Sequence, residues 1–200
     1  MAQPRVALVI PTLNEEEAIG GVIAAVPRAM VDDIIVFLDG DGSDCPELIP
    51  HLIEPIAESR CDFVIGSRTR GKREPGSMAI HQLLAGRVIG FAMRLLYGVH
   101  YTDMCPFRAI RRDALMRLGM REMTYGWNLE MQMRAARAGL RIVELPVAHR
   151  RRAGGVSKVS GNLRGTLKAS WRILATFVRI AAGGYRREPG NVPSAERHLR

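Results

Sequence analysis

Asp33-Ile-Ile-Val-Phe-Leu-Asp-Gly-Asp-Gly-Ser-Asp44 is the stretch that decides the fold. Its first half is a short β-branched and aromatic run, the composition of a strand buried on both faces, and its second half is an acidic, glycine-rich turn. Upstream, Arg5-Val-Ala-Leu-Val-Ile10 has the same character and is closed by Pro11. Between them Asn14-Glu-Glu-Glu17 opens a helix to about Val26, with acids in the first turn where the helix dipole favours them. Downstream, Asp44 and Glu47 have the spacing of a capping box for a helix through about Glu58. Asp62-Phe-Val-Ile-Gly66 reads as a third strand. The alternation of strands and helices predicts an α/β domain whose mostly parallel sheet is flanked by helices.

Further along, a helix is expected over about Ser77–Tyr97, a short strand over Phe107–Ile110, and a helix over Asn128–Ala138 stopped by Gly139. Arg141–Leu145 is a last strand. Two loops, Ser67–Gly76 and Arg150–Lys158, are basic and rich in glycine. The organisation expected is a catalytic-type domain over residues 1–160, an amphipathic helix over 161–183 and a flexible tail over 184–200. On a helical wheel Arg164, Lys168, Arg172 and Arg179 share a sector about 80° wide, next to Leu163, Leu167, Trp171, Leu174 and Val178. Two readings of that helix stand side by side: a membrane-interface helix, or a helix packed on its own domain with a solvated basic edge.

The chain has 200 residues, 47% hydrophobic and 24% charged, which excludes wholesale disorder and suits one domain. Cys45, Cys61 and Cys105 are odd in number and lack CxxC spacing, which argues against a disulfide framework or a zinc knuckle and for a reducing compartment. No signal-peptide pattern opens the sequence, and no apolar run reaches the roughly 20 residues that span a bilayer. A cytoplasmic protein, peripheral on the inner face of the membrane, is the expectation. Net charge is +9, so the partners should be anionic. Nucleic acid is disfavoured, because aromatics are only 6% and no RRM, KH or helix-turn-helix signature accompanies the arginines. Of the histidines, only His149 falls near the expected cleft.

Asp39 and Asp41 flank Gly40 at the carboxyl end of a strand, where α/β sheets place ligands. Two converging carboxylates repel unless a cation neutralises them, and hard oxygen donors select Mg²⁺ or Mn²⁺. Arg68 follows another strand end, and Arg152, Ser157 and Lys158 lie in the loop after the last strand. Cations beside a metal-binding acid pair suggest a diphosphate held between them.

Val9-Ile-Pro-Thr-Leu-Asn-Glu15, Phe37-Leu-Asp-Gly-Asp-Gly-Ser-Asp44, Val64-Ile-Gly-Ser-Arg68, Asp103-Met-Cys-Pro-Phe-Arg108, Tyr125-Gly-Trp-Asn-Leu-Glu-Met-Gln132 and Arg152-Ala-Gly-Gly-Val-Ser-Lys158 occur in that order. Together they resemble the family 2 glycosyltransferases of the GT-A fold, near the dolichyl-phosphate mannose and glucose synthase branch. The resemblance implies inverting transfer of a sugar from a UDP- or GDP-linked donor to a polyprenyl phosphate or another membrane-side acceptor. It puts Pro11, Leu13 and Glu15 at the nucleotide base. It makes Asp39 and Asp41 the metal-holding pair with Ser43 close to the metal, and Arg68 a contact for the acceptor phosphate. Arg152, Ser157 and Lys158 belong to a loop that closes over phosphates, and Glu130 is the candidate base.

One departure stands out. The family has a second strand with its own acidic turn, then a further strand–helix stretch, before the metal-binding strand. Here only Asn14 to Leu38 separates the first motif from Asp39. The sequence reads as a shortened GT-A fold in which a segment between Val36 and Phe37 is missing. The expectation is a nucleoside pocket lacking a wall, weak donor binding with slow or absent catalysis, and either re-paired strands or an open sheet edge that invites a homodimer; the alternative is a catalytically impaired glycosyltransferase-like protein that binds phosphates or a membrane surface.

Overall fold

The structure, a computed structural model, describes residues 6–11, 22, 33–153 and 163–183. Five strands are formed by Val6–Val9 (β1), Ile34–Phe37 (β2), Phe63–Ser67 (β3), Arg108–Arg111 (β4) and Ile142–Pro146 (β5). They make one sheet in the order β1-β2-β4-β3-β5. β1 runs parallel to β2 and β3 parallel to β5, while β4 is antiparallel to both its neighbours. Four strands therefore share one direction, as the alternation predicted. The reversed strand has a simple cause. Arg108, its first residue, pairs with Phe37 and Ile65 near the ends of β2 and β3, so the chain re-enters the sheet from the rim where those strands leave it.

β2 and β3 carry apolar runs because both faces are covered. Val36, Phe63, Val64, Ile65, Ala109 and Ile110 are fully buried. Helix α1 (Ile49–Ala57) puts Ile49, Leu52 and Ile56 into that core. The others are α2 (Ile80–Tyr97), α3 (Arg112–Leu118), α4 (Trp127–Arg137) and α5 (Leu163–Ala182). Trp127 at the start of α4 meets the Phe37 ring edge-on, with centroids 4.6 Å apart.

Asp44 does not cap the first helix as its spacing suggested. Its Oδ2 accepts a hydrogen bond from the Asp39 N–H at 3.1 Å. A 3₁₀ turn, Pro46–Leu48, starts the helix instead, with Cys45 in the capping position and no side-chain cap. Proline favours a first helical position because it has no N–H to leave unsatisfied there. Helix α3 was not anticipated: it is only two turns long, between the end of β4 and Gly119 at φ +57°. The expected helix after β1 lies outside the described residues apart from Val22, which is helical and buried.

Helix α5 settles on α4 through Ala169, Ile173, Thr176, Phe177 and Ile180 and leaves Leu167, Trp171, Leu174 and Val178 outward. Glu122 locks it: its carboxylate accepts from Thr176 Oγ1 at 3.1 Å and Arg179 Nη2 at 3.2 Å, with Arg172 Nε at 3.7 Å. Half of the basic stripe is thereby used in packing. Among the described residues no helix is long and apolar enough to cross a membrane.

Candidate active site

The rim is assembled by two backbone bonds. Leu38 N–H donates to Val9 O at 3.2 Å, so β1 and β2 finish side by side and Pro11 leaves the sheet next to Asp39. Val147 N–H donates to Ser67 O at 3.2 Å and carries the chain beyond β5 along the same rim. Residues 150–153 then run against the acidic turn: Arg150 N–H donates to Ser43 O at 2.8 Å and Ala153 N–H to Asp41 O at 2.9 Å. The approach requires glycine at Gly42, which has φ +76° and whose added Cβ would stand 2.9 Å from Ala153 Cβ. The result brings Arg152 to Asp41, Nη2 to Oδ2, at 2.9 Å.

Within the turn, buried Asp41 accepts from Ser43 twice, from N–H at 2.9 Å and Oγ–H at 2.6 Å. The neighbouring carboxylates are less well served. Burial, then the charges of Asp44 and Asp41, push the Asp39 carboxyl up to about 7 despite Arg68 and Arg152 nearby. Asp44 Oδ1 is buried without a hydrogen-bond partner and lies 3.6 Å from His149 Nδ1, which is also buried and unpartnered. Three acids within six residues, one with a raised pKa and one with an orphaned oxygen, form the donor set a divalent cation would relieve. Among the described residues no group of three or more histidine, cysteine or acid side chains forms a ready cage. Mg²⁺ and Mn²⁺ are commonly held by one or two carboxylates and complete their shell with phosphates and water.

The other end of the rim is fully paired. Arg68, just past β3, makes a two-pronged contact with Asp103, Nε to Oδ2 at 2.8 Å and Nη2 to Oδ1 at 2.7 Å, and its N–H adds a third bond at 2.9 Å. Glu144 beside it accepts from Thr102 N–H and Oγ1, both at 2.9 Å. Arg108 is wholly buried, donates to Cys105 O and Asn128 O, and is pushed down to about 10 by burial.

Glu130 is wholly enclosed. Its oxygens accept from Glu122 N–H at 2.6 Å, Arg121 N–H at 2.9 Å and Arg134 Nε at 2.9 Å. Burial opposes its charge, but those backbone and guanidinium bonds hold the carboxyl below the usual range. Leu13, Glu15, Ser157 and Lys158 lie outside the described residues. Sequence reasoning missed two partners. Asp103 had no local signal, since it meets Arg68 across 35 positions. Asp44 was read as a cap, and only the rim shows that it faces His149.

A family model described as "Glycosyl transferase family 2" matches residues 27–119. An uncharacterized glycosyltransferase of Mycobacterium tuberculosis is 31% identical, the alignment taking in 88% of this chain and 100% of the relative. An undecaprenyl-phosphate mannosyltransferase of Micrococcus luteus is 36% identical over 141 residues, 66% of this chain and 56% of that protein. A polyprenol monophosphomannose synthase of Mycolicibacterium smegmatis is 29% identical over 70% of this chain and 55% of its own length. This chain thus spans little more than half of those last two. Among solved structures, glucosyl-3-phosphoglycerate synthase from Mycobacterium tuberculosis in complex with Mn²⁺, uridine-diphosphate-glucose and glycerol 3-phosphate superposes with a TM-score of 0.68 at 17% identity, covering 92% of this chain and 82% of that one.

Proposed function

Since the chain belongs to glycosyl transferase family 2 and has the GT-A fold, we propose that it moves a hexose from a UDP- or GDP-linked donor to a polyprenyl phosphate. The observation that carries this is the rim contact of Arg152 with Asp41, 2.9 Å apart at the strand ends. An acid turn short of positive charge beside a loop rich in it is what a metal–diphosphate needs.

In this reading Asp39 and Asp41, with Ser43 alongside, hold the cation. When bound it supplies charge neutralisation on the leaving diphosphate. Arg152 then turns from Asp41 to the diphosphate oxygens, joined by Ser157 and Lys158, and closure of that loop excludes water. Pro11, Leu13 and Glu15 face the nucleotide base. Arg68, aimed by Asp103, presents its remaining N–H groups to the acceptor phosphate. Glu130, enclosed and already bonded, serves by position rather than as the base: two of its bonds hold the Arg121–Glu122 backbone and the third holds Arg134 on its own helix, and a phosphate acceptor is already ionised. The relatives named for undecaprenyl-phosphate and polyprenol acceptors support the acceptor class. The outward row Leu167, Trp171, Leu174 and Val178, with Lys168 exposed beside it, supports a peripheral seat for α5 on an anionic membrane.

A second reading, a transferase of reduced activity, rests on the shortened first half. The alignment to the Mycobacterium tuberculosis relative extends over 227 positions, more than this chain's 200 residues, so part of the relative has no counterpart here. β1 is also one of the two sheet edges among the described residues. The test is a panel of UDP- and GDP-sugars with and without Mn²⁺, followed by transfer to a short polyprenyl phosphate. Metal-dependent binding of one donor with turnover supports the first reading. Binding without turnover supports the second, and no binding of any donor removes both.

A further inference from the structure

Arg152 stands where a cation bound to the acid turn would have to enter. Its guanidinium lies on the solvent side of the pair, 37% exposed, with the Asp41 carboxylate 4% exposed beneath it. The two Asp41 oxygens are divided between partners. Oδ1 accepts from Ser43 N–H and Oγ–H, and Oδ2 faces Arg152 Nη2 at 2.9 Å. A cation approaching Oδ2 from solvent meets the guanidinium first. Two positive groups cannot share one carboxylate oxygen without strong repulsion, so the arginine has to leave before a metal ion takes that oxygen.

The backbone on either side of Arg152 is pinned, which makes the exchange a matter of one side chain. Arg150 N–H is bonded to Ser43 O and Ala153 N–H to Asp41 O. Behind them the strap is tied to the loop after β3. His149 N–H donates to Lys72 O and Glu74 N–H to His149 O, both at 3.0 Å. Arg151 gives its N–H to Glu74 Oε2 at 2.8 Å and its Nε–H to Pro75 O at 2.7 Å. The loops approach so closely that a Cβ at Gly71 would stand 2.0 Å from Val147 O. Arg68, on the same rim, is the contrast: it is 14% exposed and clasped in two parallel bonds by Asp103. Arg152 is solvated enough to turn away from its acid at small cost.

Taking Asp39 and Asp41 as the cation site of the proposed transfer, we propose that Arg152 is a built-in counter-ion that holds the cation's place on Asp41. It gives up the carboxylate to the metal ion and takes the donor diphosphate in exchange. Without metal, Arg152 stays on Asp41, and the remaining acids of the turn repel a diphosphate. With metal alone, the displaced arginine has no anion to receive it. Each ligand alone therefore binds poorly, and each raises the affinity for the other by the same factor.

The test uses the full chain with Mn²⁺, UDP and GDP as probes. It compares Arg152→Gln with Arg151→Gln, which removes the same charge one residue away, where the side chain is tied to Pro75. Melting temperatures verify both folds. Mn²⁺ affinity without nucleotide is read from the electron paramagnetic resonance signal of the free ion. Arg152→Gln should bind Mn²⁺ about tenfold more tightly than wild type, and Arg151→Gln within about twofold of wild type. With Mn²⁺ present, calorimetry should show UDP or GDP, whichever the wild type binds, held about tenfold more weakly by Arg152→Gln. One substitution that improves the metal and impairs the nucleotide is the signature of exchange. Equal Mn²⁺ affinity in wild type and Arg152→Gln overturns the proposal and leaves the cation site standing. Equal tightening by both variants overturns it too, because the charge of the loop then accounts for the effect. Unchanged nucleotide affinity in Arg152→Gln also overturns it. No Mn²⁺ binding by any of the three, or no nucleotide binding by wild type, removes the transfer site itself and the proposal with it.

Discussion

Two carboxylates on one rim, Asp39 and Asp103, have opposite fates. Asp103 meets the Arg68 guanidinium in two parallel bonds and takes a backbone N–H besides. Asp39 faces two further carboxylates, and burial and those charges push it up to about 7. Close by, Asp44 Oδ1 has no hydrogen-bond partner at all. The β3–β4 side of the rim is electrostatically finished; the β2 side is not. A folded protein tolerates unpaired buried charge chiefly where a ligand completes it. The difference separates a part of the rim whose charges are matched within the protein from the part where, in the proposed function, a cation and the donor diphosphate would complete them.

The largest effect should come from emptying the unfinished side. Replacing Asp39 and Asp41 together by Asn removes the charge a cation needs, and Mn²⁺-dependent donor binding should weaken several hundredfold, about 3–4 kcal/mol, by calorimetry. Stability should change little, because relief of the like charges at Asp39 offsets the loss of the Arg152–Asp41 pair. Donor affinity equal to wild type would erase the contrast between the two sides.

The finished side should respond the other way. Asp103→Ala leaves the Arg68 guanidinium without its partner and should cost about 3 kcal/mol in a urea denaturation. A loss near zero would mean the pair contributes nothing to the sheet.

The pH response sharpens the same comparison. The folded Asp39 carboxyl titrates near 7 and the unfolded one near 3.8, so the folded state holds the extra proton. Stability of the metal-free chain should therefore fall as pH rises from about 4 to about 7. Asp39→Asn should flatten that slope in melting curves. Mn²⁺ competes with the proton and should raise the melting temperature more at about pH 8 than at about pH 5.5.

The smallest effect concerns how closely the loop approaches the turn. Gly42→Ala forces a Cβ into a left-handed backbone position beside Ala153 and should cost about 1–2 kcal/mol of stability. Donor affinity should drop only a few-fold, read in the same calorimetric assay.

What could be read from residues alone follows the range of the forces involved. Strands β1, β2, β3 and β5 were legible because each is a short, mostly apolar run closed by proline, glycine or an acidic turn, and the short strand expected over Phe107–Ile110 formed as β4. Asp39, Asp41 and Arg152 were legible as a set, since strand ends in such sheets share one rim. The pairing of Arg68 with Asp103 was not, because nothing near Arg68 distinguishes an arginine that meets a carboxylate from one awaiting a phosphate. Asp44 misled for a related reason: capping and turn-closing need the same short acid, and Pro46 took the helix start. The two faces of α5 were visible as sectors of a wheel. Which one packs was decided by Glu122, brought to that helix by the chain between α3 and α4.

The pairing of β3 with β5 joins Phe63 to Ile142 and Ser67 to Pro146. That register starts the run of contacts that carries Arg152 to Asp41, continued by the Arg150–Ser43 and Ala153–Asp41 backbone bonds, and it closes a long stretch of chain. Contacts so distant along the chain form late, because the loop-closure entropy precedes any reward. As the polypeptide leaves the ribosome, the Asp39–Asp44 turn is complete well before its arginine exists. The nascent sheet carries that cluster of acids uncompensated until β5 docks. In refolding from urea, native-like core fluorescence from Trp127 against Phe37 should therefore precede the ability to bind donor. The binding rim is the last part of the domain to be born.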